Sequence, residues 1–281
     1  MSRLAVRKTY KLFIGGAFPR SESGRSFVVT DAKGGFVANA ARASRKDARD
    51  AVVAARKAFP GWSGATAYNR GQILYRVAEM LEGRRAQFAE ELGTGKKAAL
   101  EAVDATVDRL VWYAGWSDKI TAVLGTANPV AGPYFNLSSP EPTGVVAIAA
   151  PDDPLLGLVS VVAPAVVTGN TCVVIASQRS PLAAITLAEV LATSDLPGGV
   201  VNVLTGHQRE LAPSLAGHMD VNALDLTGVA DAELAVECEQ AAAANLKRVL
   251  RPAPEDWTAD PGTRRMAALL ETKTVWHPLG V

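Results

Sequence analysis

Two cysteines, Cys172 and Cys238, are all that 281 residues contain. That is too few for a disulfide framework and suits a reducing compartment, so a cytoplasmic location is expected. Charge of either sign is not in excess. The formal net charge is +1, and without a concentrated basic face neither nucleic acid nor an acidic membrane surface is expected as a partner. Long apolar runs are also missing. Hydrophobic residues make up 48% of the chain, yet no run approaches the roughly 20 residues that span a bilayer. The opening MSRLAVRKTYKLF has too short an apolar stretch, and no small-residue cleavage pattern, to read as a leader. Low-complexity tracts and internal repeats are absent. His207, His218 and His277 share no ligand spacing with one another or with the cysteines, which argues against a metal site. No GxGxxG fingerprint occurs.

What is present is periodicity. Ser44 followed by Asp47 has the form of a capping box. Ala48, Val52, Ala55 and Phe59 then fall at helical spacing, and Pro60 is expected to stop the helix. A second helix is expected over about residues 69–92, with Ile73, Val77, Leu81 and Phe88 on one face. A third, over about residues 98–121, carries Val103, Val107, Leu110 and Ala114. From Gly144 the pattern changes, and VVAIAA, TCVVIA, VVNVL, NALDL and LKRVL alternate with helical segments. Short β-branched runs separated by helices imply a parallel sheet covered on both faces. Five of them make a doubly wound, open α/β sheet.

Isolated motifs add little. Gly115-Trp116-Ser117-Asp118-Lys119 is close to a nucleophile elbow, but it lacks the last glycine and lies in a helix. Gly93-Thr94-Gly95-Lys96 is too short for a phosphate loop, and Lys96-Lys97 reads as a solvated loop.

The order of longer segments says more. KLFIGGAFPRSESGRSF (11–27), with its two turns between strands, is followed by a two-helix segment (41–82) that contains Phe59-Pro60-Gly61-Trp62. ELGTGK (91–96), VWYAGWSDKI (111–120), TGVVAIAAP (143–151), APAVVTGNTCVVIASQRSPL (163–182), LPGGVVNVLTG (196–206), VNALDLTG (221–228) and NLKRV (245–249) follow. In this order and spacing the chain resembles the aldehyde dehydrogenase family. The tail MAALLETKTVWHPLGV resembles the terminal strand of that family's oligomerisation arm. In the family an entire catalytic domain separates those last two segments, whereas here only LRPAPEDWTADPGTRR lies between them. So short a segment cannot hold a core of its own. The resemblance therefore implies a Rossmann-like, cofactor-type α/β domain over 1–124 and 143–252. It implies an extended β oligomerisation arm over 125–142 and 262–281, and a linker, 253–261, that replaces the catalytic domain.

By the same resemblance the chemistry has been lost. The family's nucleophilic cysteine belongs to the absent domain. Cys172 lies inside the second sheet strand as a small buried hydrophobe, and Cys238 sits between Glu237 and Glu239, which disfavour a thiolate. The family's general base, a glutamate just after NLKRV, aligns at or near Pro252, and Glu255 stands in an unrelated APEDW context. Where the family has an oxyanion-binding asparagine the chain reads Pro151-Asp152-Asp153-Pro154. A carboxylate there would oppose the developing charge, and both aspartates are expected to cap the helix beginning near Pro154. No catalytic residue is assigned.

The cofactor implied is NAD(P), and the resemblance gives Ser177, Thr227 and Gly228 as the residues that would bind it. The family's ribose-binding lysine aligns with Ile175, with Ala176, Ser177 and Gln178 following, and the serine after Thr227-Gly228 is replaced by Val229. Asp231 puts negative charge where pyrophosphate would lie. Weak or absent dinucleotide binding is expected.

Residues 155–206 resemble the catalytically degenerate second module of the type 16 two-module aldehyde dehydrogenases more than they resemble an active enzyme. Two readings stay open. One is a non-catalytic structural or regulatory subunit, a pseudoenzyme forming a homo-oligomer or a hetero-oligomer with a complete aldehyde dehydrogenase. The other is an NAD(P)-dependent oxidoreductase acting on aldehydes, or an NAD(P)-binding sensor. Alternation of Leu270, Thr272, Thr274 and Trp276 against Glu271, Lys273, Val275 and His277 suits an arm strand covered on one side.

Overall fold

The β-branched runs of the second half do form a sheet, and the helices of the first half wrap it. The computed structural model describes residues 8–280, so residues 1–7 of the stretch read above as no leader, and the last residue of the arm, lie outside the described residues. A hairpin of β1 (Ser26–Thr30) and β2 (Phe36–Ala41) precedes α1 (Arg45–Ser63), α2 (Ala67–Glu82), α3 (Arg85–Leu92), α4 (Lys96–Trp116) and α5 (Ile120–Leu124). Next come β3 (Thr126–Asn128) and β4 (Tyr134–Pro142). The alternating half is β5 (Val145–Ala149), α6 (Leu156–Val167), β6 (Thr171–Ile175), α7 (Leu182–Ala192), β7 (Val201–Leu204), α8 (Gln208–Ala216), β8 (Ala223–Asp225), α9 (Ala232–Ala242) and β9 (Arg248–Leu250). The short helix α10 (Arg264–Ala268) then delivers β10 (Leu270–Pro278).

The architecture is α/β, with a five-stranded parallel sheet in the order β7-β6-β5-β8-β9. Helices α1, α8 and α9 cover one face, where Val52, Leu211, Leu215, Leu234 and Cys238 pack. Helices α6 and α7 cover the other, backed by α2 and α4. Every residue of α6 is buried, because the helix lies between the sheet and this outer layer. A helix apolar all round belongs in such a place. The outer edge of β7 is protected by Phe13, which exchanges backbone hydrogen bonds with Val203 at 2.9 and 2.7 Å.

Several sequence expectations are corrected. The Ser44–Asp47 capping box is formed, but α1 runs through Pro60 to Ser63. Proline costs a helix one backbone bond, and here it falls in the last turn, on the exposed side, while Trp62 donates to the Val166 carbonyl at 3.0 Å and anchors the helix end. The helix expected over 69–92 is two helices broken at Gly83 and Arg84, and that expected over 98–121 ends at Trp116 before α5. In the N-terminal segment only bridges form before β1, so the hairpin proper lies later, at β1–β2.

The second antiparallel sheet has the order β10-β4-β3, with Leu270 opposite Pro142 and Pro278 opposite Tyr134. The tail thus pairs with the 126–142 segment as the resemblance implied. Coverage of one face is seen on β4, where Asn136 and Ser138 are buried, but along β10 it does not extend beyond Leu270. Leu270 is buried, but Trp276 is 56% exposed and meets Tyr134 edge-on at 5.7 Å, and Phe135 and Leu137 of β4 are also exposed. What joins this sheet to the parallel one is Asn170, fully buried in the turn before β6. Its Oδ1 accepts from the Gly144 N–H at 2.8 Å, and its Nδ2 donates to Thr168 Oγ1 and to the Leu269 carbonyl, both at 2.9 Å.

Asn170→Ala leaves buried backbone groups of two segments short of a partner. It should lower the unfolding free energy by about 2–3 kcal/mol, read in urea titrations as a reduced midpoint at unchanged slope.

Candidate functional site

The strand order reverses between β5 and β8. In an open parallel sheet, ligands bind outside the carboxyl ends of the strands at such a point. Here those ends are Ala149 and Asp225, and the structure gathers around them the Pro151–Pro154 loop, the Thr227-Gly228 turn and the linker that follows β9.

Each residue expected at a cofactor site has partners within the chain. Ser177 is buried; its hydroxyl donates to Asp152 Oδ1 at 2.8 Å and accepts from the N–H groups of Arg179 and Ser180 at 3.2 and 3.3 Å. The Thr227 hydroxyl donates to Asp225 Oδ1 at 2.5 Å and accepts from Arg265 at 3.1 Å. Gly228 carries no side chain because a Cβ there would collide with the Ala150 carbonyl. Its N–H donates to the Ala149 carbonyl at 3.0 Å. The glycine therefore serves close packing of the turn on β5.

Electrostatics at the helix ends follow the same pattern. Asp231 Oδ1 accepts from the N–H groups of Glu233 and Leu234 at the start of α9, at 3.1 and 3.2 Å. These donors, the Leu234 N–H foremost, together with Arg209 at 2.8 Å, hold its carboxyl below the usual range. The chain's own carboxylate thus takes the position that a phosphate would favour. Asp153 does the same for α6, accepting from Leu155 and Gly157 at 3.2 and 2.7 Å. Asp152, expected to cap as well, instead holds Ser177 and forms an ion pair with Arg179 at 3.5 Å. Its side chain is drawn toward the end of β6, away from the helix N–H groups.

The linker supplies the residues that sequence reasoning missed. Arg265 of α10 is buried and donates to Asp225 Oδ2 at 2.7 Å and to Glu255 Oε1 at 2.8 Å. Its guanidinium lies 5.4 Å from the Trp257 ring centre. Arg109 of α4 donates to Ser160 at 3.0 Å and to the carbonyls of Trp257 and Ala259 at 2.7 and 2.9 Å. Burial pushes the Asp225 carboxyl up, against the pull of Arg265 and the Thr227 donors. One signal was available: a carboxylate at the end of a fully buried strand requires a cationic partner.

Neither thiol is poised for attack. Cys172 is buried in β6, and burial pushes its thiol far up. Cys238 is pushed to about 11, mainly by burial and then by Glu237. Among the described residues no group of three or more His, Cys, Asp or Glu is placed to hold a metal, and no helix is long and apolar enough to cross a membrane.

Known proteins share this arrangement of elements. A model of the aldehyde dehydrogenase family matches residues 18–251. Cytosolic aldehyde dehydrogenase 1 of Elephantulus edwardii is 34% identical over 259 residues, which cover 89% of this chain and 51% of that protein. Retinal dehydrogenase 2 of Gallus gallus is 35% identical over 256 residues, covering 88% and 48% respectively. The NAD+ complex of an aldehyde dehydrogenase from Bacillus cereus superposes with a TM-score of 0.81 at 28% identity, over 86% of this chain and 50% of that one. The chain thus spans about half the length of the curated relatives it matches. With the family pattern running through the parallel sheet and the helices on both its faces, this chain belongs to the aldehyde dehydrogenase family.

Proposed function

We propose that this chain is a non-catalytic, cytoplasmic subunit of the family, built like the second module of the type 16 enzymes, that associates through its β arm with a complete aldehyde dehydrogenase or with further copies of itself. In this reading, residues 1–124 and 143–252 form the cofactor-type domain, 125–142 and 262–281 form the arm, and 253–261 form the linker. The observation that carries the proposal is the self-occupied crevice. A dinucleotide would have to displace Asp231 from α9, find the hydroxyls of Ser177 and Thr227 already bonded, and pass the Arg265–Asp225 pair. Ile175 and Ala176, both buried, offer no side-chain donor to a ribose. The residues present do not fit the cofactor, and no catalytic step is assigned.

A second reading, nucleotide sensing, has behind it the retained Thr227-Gly228 turn and the NAD+ complex of the Bacillus cereus neighbour. Calorimetry separates the two. NAD and NADP should bind with dissociation constants weaker than about 1 mM, or less than roughly 4 kcal/mol, and micromolar affinity would favour sensing.

Purified alone, the protein should show no NAD(P)-dependent aldehyde oxidation, since loss of one oxyanion donor already costs about 10²–10³ in rate. Turnover that disappears in Cys172→Ala or Cys238→Ala would sink the non-catalytic reading.

The arm supports association, because β10 stands at the edge of its sheet and Trp276 is exposed. Deleting residues 268–281 should abolish the oligomer, or co-purification with a complete aldehyde dehydrogenase, while the parallel sheet stays folded by circular dichroism. Trp276→Ala should weaken association by about 2 kcal/mol. Unchanged sedimentation of the deleted chain would remove the arm from the proposal.

A further inference from the structure

A cleft of about 330 Å³ opens between the N-terminal segment and the β1–β2 hairpin. Its floor is small and apolar, formed by Ala38 and Ala40 of β2 beside Tyr10, all buried. Lys11, Arg20 and Arg25 line it, and among the described residues none of the three has an ion-pair partner.

The surrounding carboxylates are engaged elsewhere. Glu91 and Glu189 hold Lys8 at 3.7 and 3.0 Å, and Glu210 is held by Arg42, with Arg25 a smaller electrostatic influence on it. Asp47 accepts from the Ser21 hydroxyl at 2.7 Å and from the N–H groups of Glu22 and Ser44 at 3.1 and 2.8 Å. Glu22 accepts from the Ser44 hydroxyl at 2.9 Å.

Three like charges lining one concavity repel one another. They do form a counter-charge for an anion, and the guanidinium fork matches phosphate geometry. The volume is at the lower end of the range for small-molecule sites, about 300–1,000 Å³. The apolar floor has no role in holding a bare inorganic ion.

We infer that this cleft binds a small phosphate monoester, its phosphate held by Arg20, Arg25 and Lys11 and its compact apolar body resting on Ala38, Ala40 and Tyr10. The site is separate in residues from the crevice at β5 and β8, so it stands whether or not that crevice takes a nucleotide.

The test is calorimetry on the full chain with phenyl phosphate, inorganic phosphate and benzoate at matched ionic strength. Phenyl phosphate should saturate one site with a dissociation constant below about 1 mM, with inorganic phosphate and benzoate each at least several-fold weaker. Arg20→Gln and Arg25→Gln should each weaken phenyl phosphate by about tenfold. Both side chains are exposed, so the variants should keep the parent's thermal midpoint, and Lys97→Gln, which removes an exposed charge outside the cleft, should leave the binding untouched. Absence of saturable binding would overturn the inference. So would equal affinity for phosphate and phenyl phosphate, affinity indifferent to both arginine substitutions, or affinity lost in Lys97→Gln.

Discussion

A buried ion pair fixes the path by which the segment after β9 crosses the parallel sheet. Asp225 ends the fourth strand of the parallel sheet at 1% exposure, and Arg265 reaches it from the short helix just ahead of β10. Two charges taken out of water are tolerated only when their remaining donors and acceptors are also satisfied. Thr227, Glu255 and the Trp257 ring meet that requirement. The linker is thereby pinned across the carboxyl ends of the strands, and the last strand starts from a fixed position. Arg109 reinforces the arrangement from the opposite helix layer by binding two linker carbonyls.

The same pair explains why the crevice is filled from within. At a dinucleotide site the hydroxyls, the glycine turn and the helix N-terminus would have to offer unpaired donors to a ligand. In this chain the hydroxyls and the helix N-terminus are bonded to side chains of the protein itself, and the glycine turn to the backbone of β5. Asp231 and Asp153 are the plainest instances, since each neutralises a helix N-terminus by capping it. Fold and chemistry answer to different residues, because the sheet depends on apolar packing while chemistry at its carboxyl edge depends on a few polar contacts.

Much of the fold was legible because β-branched runs such as VVAIA and TCVVI have few alternatives once helical segments separate them. The pairing of the tail with the 126–142 segment came from the resemblance, not from periodicity, since β10 is mostly exposed beyond Leu270 and the buried face of β4 carries Asn136 and Ser138 rather than apolar residues. Helix ends were read less well. Pro60 was read as a stop, yet in a last turn anchored by Trp62 it is tolerated, and the break at Gly83 carries no proline to mark it. The candidate site was legible only by subtraction. Which residues depart from the family pattern could be seen in sequence, but not that Arg265 would find Asp225 across 40 positions.

The two cysteines have a consequence for how the molecule can be watched. Cys172 lies within β6 and Cys238 on the buried face of α9, and neither is solvent-accessible in the folded chain. A thiol reagent therefore reacts only with conformations in which the sheet or that helix has opened. Labelling kinetics would report the opening free energies of these two regions separately. Oxidants, for the same reason, meet a native state with no sulfhydryl chemistry on its surface.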